Sequence, residues 1–351
     1  MSARWSLVLT ALLLTGCSAP TTVQTFVLDD PRVLESDAVL DDALDPDEPG
    51  CAAAVAREGL IVWSHEVGMA DLKHDEPITD DTVFDYASNS KQFTGVAVLL
   101  LAERGELALD DALDVWLDLP DWAATVTVSD LLHHTSGIPD YLDLLDAEFD
   151  EETSQQDAVD AIAEVDELGS RAFEYSNSNY VLLAEIVEAA SGDALPEVLA
   201  AEVFRRLGLD LAMDPSFDSD ELARSYERDD DEFDYLQSGW TQIGDGGIHG
   251  TATELALWGD NYRTGAVGGQ ALLDAQFADA VPTDWGSEYG AGIDRAPDGS
   301  IGHTGSWLGF VSALTITDDR LTSVAVTCNL DEVDVEGLAD RLLEIWRAGY
   351  P

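Results

Sequence analysis

Lysine is almost absent from this sequence. Of its 351 residues, 16 are Lys or Arg, and the only lysines are Lys73 and Lys91, whereas 71 residues are Asp or Glu. The resulting formal net charge of -55 repels phosphate polymers and anionic lipid surfaces. The composition therefore excludes a nucleic-acid-binding protein and a protein that holds an anionic membrane through basic residues.

The acidic residues are spread along the whole chain and do not form one tail. This distribution is typical of salt-adapted proteins, because a Debye length of about 3 Å at 1 M salt mutes repulsion between surface carboxylates. The alternative is an acidic surface that serves solubility alone. We favour the hypothesis of salt adaptation.

The apolar run near the N-terminus, residues 5–14, is too short for a transmembrane helix, which needs about 20 residues. Arg4 precedes it and small residues follow it, so residues 1–16 are predicted to be a cleaved export signal. The order Leu14, Thr15, Gly16, Cys17 resembles the bacterial lipobox. That resemblance implies an exported protein, lipid-anchored through Cys17 to the periplasmic face or the cell surface. The alternative is an ordinary signal peptide with Cys17 near the cut.

The mature chain divides into two parts by composition. Residues 17–50 contain four prolines and many acids with little periodicity, which predicts an acidic tether. Residues 51–351 are enough for one large domain or two interleaved subdomains. Hydrophobic residues make up 46% of the chain, so this part can build a substantial core.

Cysteine is also scarce. The three cysteines and six histidines form no paired ligand motif, so we expect neither a metal nor another cofactor. If Cys17 is lipidated, Cys51 and Cys328 remain in an oxidising compartment, where they can pair.

The hydrophobic patterns predict an α+β fold. Two apolar runs, 52–56 and 60–64, predict an early hairpin, and a helix is predicted over 88–104 with Gly105 after its end. Residues 116–269 are predicted to be mostly helical, and strands return at 300–305, 310–317 and 321–327, before an amphipathic helix over 335–346. Few strand-helix-strand alternations occur, so we expect a sheet built from both chain ends, flanked by helices, with a helical middle subdomain.

The strongest candidate for chemistry is the pair Ser88 and Lys91. Three residues apart at a helix N-terminus, the two side chains share one helix face. A lysine held out of water can take the proton of a serine hydroxyl, and free helix N–H groups can stabilise the resulting negative charge. The alternative is a capping serine with a solvated lysine, but the composition avoids lysine nearly everywhere else. Lys73, which lies among charged residues, is predicted to be a solvated loop residue.

Three segments follow one another in a recognisable order. They are residues 88–94, then Tyr175-Ser176-Asn177, then His303-Thr304-Gly305, and together they resemble the three motifs of the serine beta-lactamase and D-Ala-D-Ala peptidase superfamily. Residues 131–137 and 244–247 resemble segments of its class C beta-lactamase-related branch. The resemblance extends from Cys51 to Trp346.

The resemblance implies a role for each motif residue. Ser88 would be the nucleophile, Lys91 its proton acceptor and Tyr175 a proton relay to the leaving group. Substrate would be bound by Asn177, His303, Thr304 and Gly305, and the backbone N–H groups of Ser88 and Ser306 would form the oxyanion hole. Taken alone, Tyr175 and Asn177 are more typical of a turn before a helix, with Asn177 as its cap, and His303 is more typical of an ordinary strand residue.

Two further segments of the sequence are not assigned a catalytic role. His133 and His134 are expected to pack at a helix end. Residues 244–247 are expected to act through their backbone, because no lysine of a phosphate-binding loop accompanies them.

Many beta-lactamases carry lysine where this chain has His303. Histidine there resembles certain carboxypeptidases and esterases of the superfamily, and it loses its charge near neutral pH. The substitution favours a carboxypeptidase or an esterase over a beta-lactamase. Arg295 is a candidate for the missing cation.

The resemblance also implies that the last strand lies antiparallel beside the first. Cys51 would then face Cys328, which permits a disulfide between the two ends of the fold.

The predicted function is a serine hydrolase that acts through an acyl-enzyme on a D-amino peptide, an ester or a lactam. Its partners would be a small-molecule or peptide substrate and, through the lipid on Cys17, a membrane. A catalytically silent surface scaffold of the same fold is the alternative, and a hydrolase of lipids or polyesters is a third candidate.

Overall fold

The structure, a computed structural model, describes residues 30–230 and 232–347. The predicted export signal and Cys17 lie outside the described residues. Within the described ranges, no helix is long and apolar enough to cross a membrane.

The strands of the described residues run in chain order as follows: β1 (Cys51–Arg57), β2 (Leu60–Val67), β3 (Met69–Asp71), β4 (Glu76–Pro77), β5 (Phe84–Asp85), β6 (Ala212–Met213), β7 (Ser225–Asp229), β8 (Glu232–Leu236), β9 (Ile248–Gly250), β10 (Val281–Pro282), β11 (Glu288–Tyr289), β12 (Asp294–Arg295), β13 (Ile301–Trp307), β14 (Phe310–Ile316) and β15 (Thr322–Cys328).

The α-helices of the same ranges are α1 (Pro31–Asp41), α2 (Lys91–Arg104), α3 (Val128–Leu132), α4 (Tyr141–Leu144), α5 (Gln155–Ala163), α6 (Asn177–Ser191), α7 (Leu195–Leu199), α8 (Arg205–Leu207), α9 (Ala252–Trp258), α10 (Asn261–Thr264), α11 (Gly269–Ala275) and α12 (Val335–Trp346). A π-helical turn, Ala200–Phe204, joins α7 to α8, and 3₁₀ turns cover Ala87–Ser90, Leu113–Val115 and Asp121–Thr125.

One antiparallel sheet of eight strands organises the fold. Its order is β10-β11-β12-β13-β14-β15-β1-β2, so the first strands of the domain pair directly with the last. The prediction of an α+β fold with a sheet built from both chain ends is confirmed. Helices cover both faces of this sheet.

Strand β1 divides the core in two. Its residues alternate between the faces of the sheet, so Ala53 and Val55 pack towards α1 and α12, while Ala52, Ala54 and Ala56 pack towards the helices of the middle region. All of them are buried, which explains why the strand is a continuous apolar run without a polar alternation.

The predicted tether is wrong for its second half, because residues 31–41 form helix α1. Asp30 caps the helix by accepting from the backbone N–H of Arg32, and Pro31 occupies its first turn. The helix packs on α12, where Trp346 donates to Ser36 Oγ at 2.8 Å. Only Ser36, Val39 and Leu40 are buried in it, so its apolar face is too short to give a clear helical period.

The middle region contains the helices α3 to α10, and it also contains strands. β7 and β8 pair as a hairpin, and β9 pairs with β5 and β6. The hairpin carries acidic residues at exposed positions of both strands, so its sequence lacks the apolar alternation that predicts a strand.

The two ends of the sheet are joined covalently. Cys51 and Cys328 are directly opposed in the β1–β15 register and form a disulfide across 277 residues of chain. Closing so long a loop restricts the unfolded chain strongly. The double variant Cys51→Ala/Cys328→Ala is expected to lose about 4 kcal/mol of unfolding free energy in guanidinium titrations. An unchanged denaturation midpoint would contradict this expectation.

Candidate active site

Ser88 lies in a sharp turn between β5 and α2. The turn is 3₁₀ over Ala87–Ser90, and the α-helix begins only at Lys91, three residues later than predicted. Ala87 has a φ of 48°, a left-handed conformation that is unusual for a residue with a Cβ, and Asp85 holds it by accepting from its N–H at 2.8 Å. The backbone is therefore held in a strained conformation at the residue before Ser88.

Neighbouring side chains fix this turn to the sheet. Asn89 donates to Ser312 Oγ at 2.8 Å, Ser312 donates to the carbonyl oxygen of Tyr86 at 2.7 Å, and Ser90 Oγ accepts from Ile248 N at 3.1 Å. Asn89, Ser90 and Ser312 are buried, so these bonds are shielded from water. The backbone at Ser88 is therefore held in a fixed position relative to the sheet.

Lys91 is fully buried beside Ser88. Its Nζ lies 2.9 Å from Ser88 Oγ, 2.8 Å from Asn177 Oδ1 and 2.7 Å from the carbonyl oxygen of Asp245. An ammonium group can donate to all three. A neutral amine can donate to Asn177 and Asp245 and offer its lone pair to the hydroxyl of Ser88. Because both protonation states fit the same heavy-atom positions, a proton can pass between Ser88 and Lys91 without rearrangement.

Asn177 is oriented by Asp140. The carboxylate oxygen Oδ2 of Asp140 accepts from the side-chain amide of Asn177 at 2.8 Å and from its backbone N–H at 2.9 Å. With its NH₂ group thus engaged, Asn177 turns its carbonyl oxygen towards Lys91. Asp140 is therefore a positioning residue of the site that the sequence did not reveal.

The glycine-rich turn at 244–247 contacts the site through its backbone. Besides the carbonyl group of Asp245 that faces Lys91, the carbonyl oxygen of Gly244 accepts from Thr94 Oγ1 at 2.7 Å. Gly244 has a φ of 98°, and a Cβ there would lie 2.3 Å from the carbonyl oxygen of Tyr180. Only glycine fits this position.

The side chain of Asp245 is buried next to the amine. Tyr141 donates to its Oδ2 at 3.0 Å, whereas its Oδ1 has no hydrogen-bond partner among the described residues. Burial raises the pKa of the Asp245 carboxyl, and the nearby Lys91 opposes that shift.

Tyr175 lies near the amine of Lys91. The amine is 5.1 Å from the centroid of its ring, and the ring stacks on His134 at 4.3 Å. The phenol oxygen is buried, and no described residue forms a hydrogen bond with it. Its role as a proton relay stays a prediction.

The ring of His134 stacks on the ring of Tyr175. His134 is fully buried, with a φ of 53°, and its Nδ1 accepts from Ser176 N at 3.2 Å and Asn179 Nδ2 at 3.0 Å. Burial, followed by the charge of Lys91, lowers its pKa well below the usual value, so the ring is neutral near pH 7. Because it stacks on Tyr175, His134 belongs to the surroundings of the site and does more than pack at a helix end.

His303 is buried in the same aromatic cluster. Its Nδ1–H donates to the carbonyl oxygen of Thr304, which leaves Nε2 to accept from the hydroxyl of Tyr289 at 3.0 Å. Burial and the charge of Lys91 lower the pKa of His303 to about 4, so the ring is neutral near pH 7. Both ring nitrogens are occupied by protein groups.

Gly305 lets strand β13 approach the nucleophile. A Cβ on Gly305 would lie 2.3 Å from the carbonyl oxygen of Tyr86 and 3.0 Å from Ser88 N. Ser306, the next residue, lines the same cleft as Ser88, and Thr304 is exposed. An oxyanion hole formed by the N–H groups of Ser88 and Ser306 stays a prediction.

Arg295 lies away from this cleft. It pairs in the sheet with Ile301, at the opposite end of β13 from Ser306, and its guanidinium binds Glu288 at 2.6 Å. It does not supply the cation that His303 lacks.

The cleft in front of Ser88 has a volume of about 360 Å³. Aromatic side chains form much of its wall: Tyr141, Tyr235, Trp240, Trp307 and Phe310. Phe149, 43% exposed, packs on Trp240 and Trp307 at centroid distances of 5.1 and 5.4 Å. The cleft can therefore hold an apolar group next to a nucleophile and its base.

The chain is similar to known proteins of the beta-lactamase family over most of its length. The model of the beta-lactamase family matches residues 37–345. Penicillin-binding protein 4* of Bacillus subtilis is 27% identical in an alignment of 306 positions that covers 79% of this chain and 67% of the relative. A D-aminopeptidase of Cereibacter sphaeroides is 29% identical in an alignment of 314 positions that covers 84% of this chain and 59% of the relative. The chain thus spans about two thirds or less of these relatives.

Among solved structures, the D-amino acid amidase of Ochrobactrum anthropi SV3, in complex with L-phenylalanine amide, has a similar fold. The TM-score is 0.78 at 24% identity, over 90% of this chain and 98% of the amidase.

Proposed function

Because this chain belongs to the beta-lactamase family, we propose that it is a serine hydrolase that forms an acyl-enzyme on Ser88. The observation that carries this proposal is the buried Lys91 amine, 2.9 Å from Ser88 Oγ, in a cleft that is open to substrate. The substrates we propose are a D-amino peptide or amide, an ester or a lactam. The D-aminopeptidase among the relatives supports the first of these.

In the first half of the reaction, Ser88 Oγ attacks the substrate carbonyl while its proton passes to Lys91 Nζ. Asn177 and the carbonyl group of Asp245 hold the amine in place for this transfer. The tetrahedral oxyanion is stabilised by the N–H groups of Ser88 and Ser306. Collapse breaks the bond to the leaving group, which takes a proton through Tyr175, and leaves an ester on Ser88.

In the second half, water attacks this ester. Its proton passes to the Lys91 and Tyr175 pair, and the ester bond breaks to release the acid and return the proton to Ser88 Oγ. Each group therefore ends in its starting protonation state.

We propose a peptidase, amidase or esterase in preference to a beta-lactamase. His303 is neutral and engaged on both nitrogens, so the position that carries a cation in many beta-lactamases offers none here.

The second candidate, a silent scaffold, is less well supported. A scaffold has no need of a buried lysine, because burying an amine costs free energy unless its three donors are satisfied. Here Lys91 is buried and bonded to three acceptors in a chain with only two lysines.

We further propose that the protein is exported and anchored through a lipid on Cys17. The order of residues 14–17 supports this, and so does the Cys51–Cys328 disulfide, since such bonds persist in oxidising compartments. The periplasmic face and the cell surface fit equally. We retain the proposal of a salt-adapted surface on the charge of -55.

A covalent probe tests the proposed function. A fluorophosphonate is expected to add once to the protein, on the peptide that contains Ser88, and p-nitrophenyl acetate is expected to be hydrolysed. Nitrocefin and a D-Ala-D-Ala peptide complete the substrate panel. Absence of both labelling and ester hydrolysis by the folded protein would favour the scaffold.

A further inference from the structure

Acidic side chains outnumber Lys and Arg side chains in the described wall of the cleft at Ser88. Three carboxylates, Asp85, Asp218 and Asp245, line the cleft, and Arg224 is the only Lys or Arg among the described residues of its wall. Its guanidinium lies 3.6 Å from Asp218 and 3.9 Å from Asp71. The one arginine of the cleft is thus already paired with acids.

Lys91, His303 and His249 are also engaged. Lys91 contacts three acceptors, and both nitrogens of His303 are occupied by Thr304 and Tyr289. His249, in the cleft wall, has Nε2 3.7 Å from Asp85 Oδ2. A substrate carboxylate in this cleft would therefore meet acids and no free cationic partner in the described part of the chain, which is unfavourable when both are desolvated.

A cationic group would meet the opposite environment. Asp218 is exposed at the cleft, and the Oδ1 atom of Asp245, in a side chain more than nine-tenths buried, has no hydrogen-bond partner within residues 30–230 and 232–347. The faces of Trp240 and Trp307 add a surface on which ammonium groups bind favourably. The whole-chain charge of -55 acts in the same direction.

We propose that the cleft selects acyl substrates that carry a free amine and rejects those that carry a carboxylate. The inference rests on the proposed hydrolase function and specifies its substrate class. It assigns the cleft to amine-bearing amides, short peptides or esters, and it places penicillins and peptides whose carboxylate must enter the cleft among the poor substrates.

Three matched substrates test the selection. They are the p-nitroanilides of D-alanine, N-acetyl-D-alanine and N-succinyl-D-alanine, which carry on the same side of the scissile bond an ammonium, no charge and a carboxylate, the last at the end of a longer acyl arm. At pH 7 and low salt, kcat/KM is expected to be about tenfold higher for the amine than for the succinylated compound, with the acetylated one between them. In 1 M NaCl this ratio is expected to shrink, because the Debye length falls to about 3 Å.

A charge placed on the cleft wall provides the variant. Gln237 is exposed and lines the cleft. Gln237→Lys is expected to raise kcat/KM for the succinylated anilide about fivefold and to lower it for the amine, whereas Gln237→Glu is expected to do the reverse. The acetylated anilide reports any change that is unrelated to charge.

The outcomes separate this inference from the proposed function. Equal rates for the three anilides, a preference for the carboxylate, or no turnover of the amine by a protein that hydrolyses p-nitrophenyl acetate would each overturn the selection alone. Failure of the folded protein both to hydrolyse the acetate and to react with the fluorophosphonate would overturn the hydrolase itself.

Discussion

Replacing Ser88 by alanine is expected to abolish fluorophosphonate labelling and to lower kcat/KM for p-nitrophenyl acetate by at least about 10⁴-fold. The variant loses the only hydroxyl among the hydrogen-bond partners of Lys91 in the described part of the chain, so no acyl-enzyme can form there. Activity that remains would come from binding and oxyanion stabilisation alone. Intact mass spectrometry and initial rates measure the two effects independently.

Ser216→Ala is the matched control. Ser216 also lines the cleft, but its hydroxyl donates to Asp214 and no lysine lies beside it. This variant is expected to keep both labelling and rate within about twofold of the parent protein, since a surface serine with no base is a poor nucleophile. Retained labelling in Ser88→Ala, or its loss in Ser216→Ala, would contradict the assignment of the nucleophile.

The sheet could be predicted from the sequence because its strands have a local pattern. The strands after residue 299 are rich in β-branched residues, and the observed bounds of β13, β14 and β15 lie within one or two residues of the predicted ones. The helix over residues 335–346 has the predicted bounds, since its buried residues keep a clear helical spacing. Where the apolar pattern is short, as in α1, the prediction was wrong.

The different environments of Lys91 and Lys73 could also be predicted, in this case from the composition of the chain. Lys91 is fully buried and bonded to three acceptors, whereas Lys73 lies in an exposed turn. In a chain that avoids lysine, a lysine in an apolar helix indicates a requirement for an amine. The scarcity of a residue type cannot identify functional carboxylates in this chain, because Asp and Glu are abundant.

Asp140, Tyr141 and the side chain of Asp245 show why the rest of the site could not be predicted. Asp140 is one of 71 acids, so its residue type carries little information. Its partner Asn177 is 37 residues away, and Asp245 lies 154 residues from Lys91. Such contacts depend on how the middle region folds back over α2, which no local pattern specifies.

Removal of the amine from Lys91 tests the base. Lys91→Met keeps most of the buried volume but leaves Ser88 without a proton acceptor, and the expected loss in kcat/KM is about 10³-fold to 10⁴-fold. Asn177 Oδ1 and the carbonyl group of Asp245 also lose their donor. Circular dichroism and thermal melting establish that the variant is folded before its rates are compared.

The double variant Ser88→Ala/Lys91→Met distinguishes a catalytic role of Lys91 from a structural effect of its replacement. If the two residues act as one unit, the double variant is expected to be no slower than Ser88→Ala, because the amine has no function once the hydroxyl is gone. Losses that multiply in the folded double variant would mean that Lys91 contributes by a route independent of Ser88. Unchanged rates in Lys91→Met would exclude it as the base, and another group would then have to accept the proton of Ser88.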